Sequence, residues 1–219
     1  MNKLRLRFSK TGKAIYISHL DLMRTMQRSF ARAELRFKYS EGFNPHPQMS
    51  VLLPLGVGCA SVCELMDFTL TEDVPPEEIV SRLSRALPEG LAPLGCYASE
   101  RKVKELKFLR ISGVFEYDSR PTEPMCAGLT EFFGREAIVI TKRTKRGEGE
   151  SDIRPAIREI SFAAGENAVT LSAVISAQEP TLNPDNLTAA LRQLAPELAP
   201  DFAKFRREET YAADMTVFR

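Results

Sequence analysis

"LRLRFSKTGKAIYISHLDLMRTMQRSFARA", residues 4–33, holds two different periods in one run. Leu4, Leu6 and Phe8 alternate with Arg5 and Arg7, the two-residue repeat of a half-buried strand with a basic outer face. Beyond it, Ser18-His19-Leu20-Asp21 has the form of a capping box, in which the serine hydroxyl serves an orphan N–H of the first turn and the aspartate meets the positive helix end. Met23, Met26, Phe30 and Ala33 then recur at three- and four-residue steps, while Arg24, Arg28 and Arg32 recur every four on another face. The spacing predicts a strand, then a helix from about Ser18 to Ala33 with one side packed and the other cationic.

Working outward, Val51 to Leu55, Leu65 to Leu70 and Leu91 to Tyr97 read as strands. Pro75 and Pro76, followed by Glu77 and Glu78, open a second helix that buries Ile79, Leu83 and Leu87 and ends at Pro88-Glu89-Gly90. Strand, helix, strand, strand, helix, strand is the order of a ferredoxin-like, split βαβ unit. The second half repeats part of this plan: Pro76, Ile79, Leu83, Pro88 and Glu89 have counterparts at one constant offset in Pro184, Leu187, Leu191, Pro196 and Glu197. Around that repeat, Leu109 to Tyr117, Ala137 to Lys142, Val169 to Ile175 and Phe205 to Tyr211 read as strands and Pro124 to Phe133 as a short helix. Lys142 to Glu150 reads as a mobile hairpin loop. The expected fold is α+β, two ferredoxin-like halves in tandem, residues 1–103 and 104–219.

A chain of 219 residues that is 43% hydrophobic can bury a real core. No stretch approaches the roughly 18 apolar residues of a membrane span, and the alternating start does not resemble an export signal. Four cysteines, Cys59, Cys63, Cys96 and Cys126, are too few and too irregular for a disulfide framework. These features predict a cytoplasmic protein without a membrane partner. The formal charge of +1 hides an asymmetry: residues 1–50 carry ten Lys or Arg against three acids, a net of +7, so the remainder sums to −6. Such a cationic end suits a polyanion, or an acidic surface within the same fold.

Both histidines lie in distinctive motifs. His19 sits in the capped first turn; His46 sits in Gly42-Phe-Asn-Pro-His-Pro47, where the prolines hold Asn44 and His46 extended on a stiff support. A stiff loop loses little entropy when a ligand docks on it. Brought together, the two imidazoles can act as acid and base in metal-free phosphodiester cleavage; apart, each is an ordinary turn residue. Arg5, Arg7, Lys10, Lys13, Arg24, Arg28 and Arg32 are candidate phosphate contacts. Tyr16, Phe37, Tyr39 and Phe43 are candidate stacking faces, with Asn44 and His46 beside Phe43.

Cys59 and Cys63 have the spacing of the first two ligands of a radical S-adenosylmethionine cluster, Cys-x3-Cys-x2-Cys, but the third position is Met66. No Gly-rich phosphate loop, nucleophile elbow or paired-histidine zinc motif appears, and no cofactor or metal is expected. Glu64 and Asp67, three apart, point to opposite faces if they lie in a strand. Asp152-Ile-Arg154 is a further compact polar motif without an assigned role.

Lys10-x-Gly12, Ile17-Ser-His-Leu-Asp21, Arg24, Gly42-Phe-Asn-Pro-His-Pro47, Pro54-Leu-Gly56, Glu64-x-x-Asp67 and Asp152-Ile-Arg154 together resemble the bacterial radical-SAM-linked proteins. That family is a domain of unknown function found alone or fused behind a radical SAM protein. The resemblance implies association with a radical SAM protein, in gene settings that often include a ribonuclease and ribosomal protein genes; it implies no established activity. The missing third cysteine agrees with a linked module. The expected function is that of an RNA-binding accessory to a radical SAM protein in tRNA or rRNA modification or processing, with no catalysis of its own. The alternatives are a metal-independent endoribonuclease using His19 and His46, by fold-level analogy with the repeat-processing CRISPR nucleases, and a protein-only scaffold.

Overall fold

A computed structural model of the chain describes residues 3–144 and 147–219. The chain divides into two compact units, Met1–Glu105 together with Phe218–Arg219, and Leu106–Val217. The break falls two residues beyond the 103/104 boundary read from the sequence, and the last two residues leave the second half for the first. The fold is α+β, with antiparallel strands and, among the described residues, four α-helices.

The first unit runs β1 (Leu4–Lys10), α1 (His19–Arg32), β2 (Met49–Val51), β3 (Ala60–Phe68), α2 (Pro76–Ala86) and β4 (Leu91–Ala98). Its strands lie in the order β4-β1-β3-β2, each antiparallel to its neighbour. The alternation of β1 sets Leu6 opposite Met66, and both are wholly buried with Phe8. Ser18 caps α1 by accepting the Asp21 N–H at 3.2 Å while its hydroxyl donates to the Asp21 carboxylate at 2.7 Å. The buried stripe of α1 is Leu22, Met26 and Phe30; Met23, which heads the stripe in the sequence reading, is half-buried. Phe30 stacks on Phe37 at 4.5 Å and meets Phe68 edge-on at 5.1 Å. α2 begins at Pro76, whose missing N–H costs nothing in a first turn, and buries Ile79 and Leu83.

The second unit runs β5 (Phe108–Glu116), α3 (Thr122–Phe133), β6 (Val139–Thr144), β7 (Gly147–Asp152), β8 (Ile157–Ala164), β9 (Ala168–Ser176), α4 (Asp185–Leu194) and β10 (Phe202–Tyr211). Its main sheet has the order β10-β5-β9-β8, again antiparallel throughout, and β6 and β7 form a separate hairpin. Much of the loop predicted at 142–150 is therefore paired strand; residues 145 and 146 of that prediction lie outside the described residues. β8 is absent from the sequence reading because most of its residues face solvent and a register shift between Ile157 and Glu159 breaks the alternation. Leu187 and Leu191 of α4 are as fully buried as their counterparts Ile79 and Leu83 of α2. No helix among the described residues is long and apolar enough to cross a membrane.

Candidate nucleic-acid interface

The cations of the first fifty residues divide into two groups with different work. Arg5, predicted on an outer face, is wholly buried. Its Nε and Nη2 donate to the two Asp67 carboxylate oxygens at 2.6 and 3.1 Å, and Nη2 also donates to Ser99 Oγ at 2.9 Å and to the Arg101 carbonyl at 2.8 Å. The Phe218 ring lies 4.9 Å from the guanidinium carbon. Burial pushes the Asp67 carboxyl up, but Arg5 and Lys3 outweigh it and hold the group below its ordinary value. Lys10 is buried as well, donating to the Ile15 and Ile17 carbonyls at 3.1 and 3.3 Å and so closing the short 3₁₀ turn that leads into α1. Burial lowers its pKa, against the opposing pull of Glu64 and Cys59. Neither Arg5 nor Lys10 can reach a phosphate. Arg7 is half-buried on the same sheet face as Arg5.

Lys13, Arg24 and Arg28 remain outside. The Arg24 side chain is 68% exposed and pairs only loosely with Asp21 at 3.4 Å, an interaction too solvated to remove it from other use. Arg32 donates to the Ala86 carbonyl at 2.7 Å and to Ser29 Oγ at 3.0 Å, tying α1 to the carboxyl end of α2. There it joins Arg82, Arg85 and Glu34 around a groove of about 590 Å³. Arg24, Arg28 and Arg32 thus form a cationic stripe, about 6 Å per step along the helix, that runs into a groove with two further arginines.

The Gly42–Pro47 segment projects from a closed neck. The Ser40 N–H donates to the His46 carbonyl at 2.8 Å, the His46 N–H returns to Ser40 Oγ at 2.9 Å, and below them the Gln48 N–H donates to the Lys38 carbonyl at 2.8 Å. Gly42 takes φ +118, open to glycine and strained for other residues. Phe43 is fully exposed, and Asn44 and His46 are exposed beside it. Tyr16 and Tyr39 are exposed, whereas Phe37, a predicted stacking face, is core. His19 stands exposed in the first turn of α1. Neither imidazole makes a hydrogen bond or ion pair among the described residues.

Glu64 and Asp67 are both buried, Glu64 opposite Phe8 on the helix-covered face and Asp67 opposite Arg5 on the other. Asp152 and Arg154 form a clasp: the Asp152 carboxylate accepts the Ile138 and Arg154 N–H groups at 2.9 and 3.0 Å, and Arg154 donates to the Arg135 and Ile157 carbonyls at 3.1 and 2.8 Å. These backbone bonds hold the Asp152 carboxyl below its ordinary value. Their work is to fix the base of the β6–β7 hairpin. No group of three or more metal-ligating side chains gathers among the described residues.

A family model for uncharacterized proteins conserved in bacteria, DUF2344, matches residues 3–184. The chain belongs to this family. The DUF2344 match takes in every motif described above, from Lys10 to Arg154. A comparison with curated proteins finds no match. Among solved structures, a chain of a Cbf5-Nop10-Gar1 complex is 11% identical, with 94% of this chain and 48% of that one covered at a TM-score of 0.49. An unknown protein from Galdieria sulphuraria is 9% identical, with 94% and 98% covered at a TM-score of 0.26. The DUF2344 chain thus spans about half the length of the first of these structures.

Sequence reasoning misses a second set of cations and rings, on β5 and β10 of the second unit. Phe202, Lys204 and Arg206 alternate in the sequence and are the signal that could disclose it, but the strand read there begins only at Phe205.

Proposed function

We propose that the chain is an RNA-binding accessory protein built from two ferredoxin-like units, and that it serves a radical SAM partner acting on tRNA or rRNA. The observation that carries the RNA reading is the outward stripe of Arg24 and Arg28 leading to the groove of Arg32, Arg82 and Arg85. The identical strand order of the two units supports the ferredoxin-like reading. The radical SAM partner rests on the motif resemblance alone. The exposed loop tip at Phe43 adds an aromatic face free to stack on an unpaired base.

The test is fluorescence anisotropy with a labelled single-stranded RNA over a range of salt. Arg24→Ala with Arg28→Ala is expected to weaken binding across sequences and to lower the slope of log K against log salt by about 1.4, since each single-strand phosphate left unneutralised takes away about 0.7. An unchanged slope and affinity would remove the stripe from the interface.

A further inference from the structure

The main sheet of the second unit has one filled face and one that is open only in part: Val174 and Ser176 of β9 are buried on it, whereas Thr170 and Ser172 are exposed. Leu109, Ile111 and Phe115 of β5 are buried in the core. Gly113 lies among them, where a Cβ would stand 2.7 Å from Leu171 and 3.0 Å from Phe205. The residues between look the other way. Ser112 lies between Ser172 of β9 and Arg206 of β10, Arg110 lies beside Val174, and Phe108 lies beside Tyr211. Phe202, Lys204 and Arg206 follow at every second position of β10, all exposed, and Phe202 shows 53% of its surface. In the first unit, by contrast, the sheet face carrying Arg5 and Asp67 is closed by Ser99, Arg101 and Phe218.

We propose that the open part of this face binds a single-stranded RNA segment, with bases stacked on Phe202, Phe108 and Tyr211 and phosphates held by Arg110 and Arg158. The inference rests on RNA being the ligand of the chain, and adds a second surface to the stripe on α1. Each ring has a cation beside it: Lys204 is 5.2 Å from the Phe202 centroid, Arg158 is 5.2 Å from Phe108 and Arg110 is 5.7 Å from Tyr211. Rings and guanidinium planes in alternation offer π-surfaces to bases and charge to the backbone between them.

Charge decides which cations are available. Lys204 pairs with Glu116 at 2.6 Å and Arg206 with Glu208 at 2.7 Å. Arg110 and Arg158 have no carboxylate partner among the described residues, so no ion pair must break for them to meet a phosphate. A hollow of about 170 Å³ bordered by Arg110, Glu159, Ser161 and Ser172 lies beside Arg110 and supplies hydroxyls for polar edges of a nucleotide. Phe202 is the one large hydrophobic on this face with most of its area exposed, among the described residues. Rings isolated among charges and hydroxyls suit stacking by separate bases; a protein partner would ask for a contiguous apolar centre. A duplex would present no base faces to them.

The test uses the full chain, a labelled oligouridine and the same label in a duplex, at low and moderate salt. The wild-type chain is expected to prefer the single strand, and Phe202→Ala with Arg110→Ala to weaken it by about tenfold. Phe202→Tyr, which keeps the ring, is expected to bind within about twofold of wild type, which separates stacking from a folding defect. Photocrosslinking with iodouridine is expected to label the β10 peptide, and that label is expected to persist in Arg24→Ala with Arg28→Ala. Wild-type binding that the β-face double change leaves intact, with no crosslink in β10, overturns this site while leaving the α1 stripe standing, and gives the face to a protein partner. Absence of any single-strand binding by the wild-type chain at low salt overturns both.

Discussion

Arg5 and Asp67 illustrate how a charge is carried into a core at the cost of becoming indispensable there. The guanidinium is held by a carboxylate, a hydroxyl, a carbonyl and a ring, so its burial is compensated only while every partner is present. Asp67→Asn is expected to lower the unfolding free energy by roughly 3–5 kcal/mol in urea titrations, because it leaves a buried cation uncompensated. The pH dependence has a definite sign. The folded carboxyl titrates below the ordinary aspartate value of 3.8, so the wild-type advantage over Asp67→Asn is complete above that value and vanishes as pH falls through the lowered one. None of this is legible in residues 4–10. Alternation reports which side chains share a face, and it assigns polar faces to water by default; the partner that brings Arg5 inside lies 62 residues away. The same blindness leaves Lys10 on the surface in a sequence reading, because its acceptors are backbone carbonyls that carry no sequence signature.

At the scale of elements, local signals fare better wherever they are self-contained. The capping box at Ser18 is legible because the motif writes both of its partners within four residues. Ser18→Ala is expected to cost about 1 kcal/mol in thermal unfolding. The proline-bounded loop is legible as an exposed display, and two hydrogen bonds between Ser40 and His46 close its neck. β8 and β7 are not, since an edge strand and a glycine-rich, charged hairpin lack the apolar rhythm that marks a half-buried strand. Gly113 tests how tightly β5 is packed on its covered face. Gly113→Ala puts a methyl against Leu171 and Phe205 and is expected to destabilise by about 1–3 kcal/mol, read from the denaturation midpoint at unchanged m-value.

For the molecule as a whole, the repeat of Pro76, Ile79 and Leu83 at Pro184, Leu187 and Leu191 places two helices correctly and points to two units with one strand order. The candidate site is half legible: charge clustering finds Arg24, Arg28 and Arg32, and does not separate them from the cations that the core consumes. The role of Phe218 is hidden altogether, since nothing near it in sequence shows that it belongs to the first unit. Phe218→Ala is expected to cost about 3–5 kcal/mol and to speed hydrogen exchange in β1 and β4 before it does so in β8 and β9.

That placement of Phe218 has a consequence for synthesis. A ribosome makes residues 1–105 first, yet the ring that seals Arg5 emerges only after all 112 residues of Leu106–Val217 have been translated. Until then the sheet face that carries Arg5 lacks its Phe218 cover, so a site in the first unit is completed only by residues translated after the second.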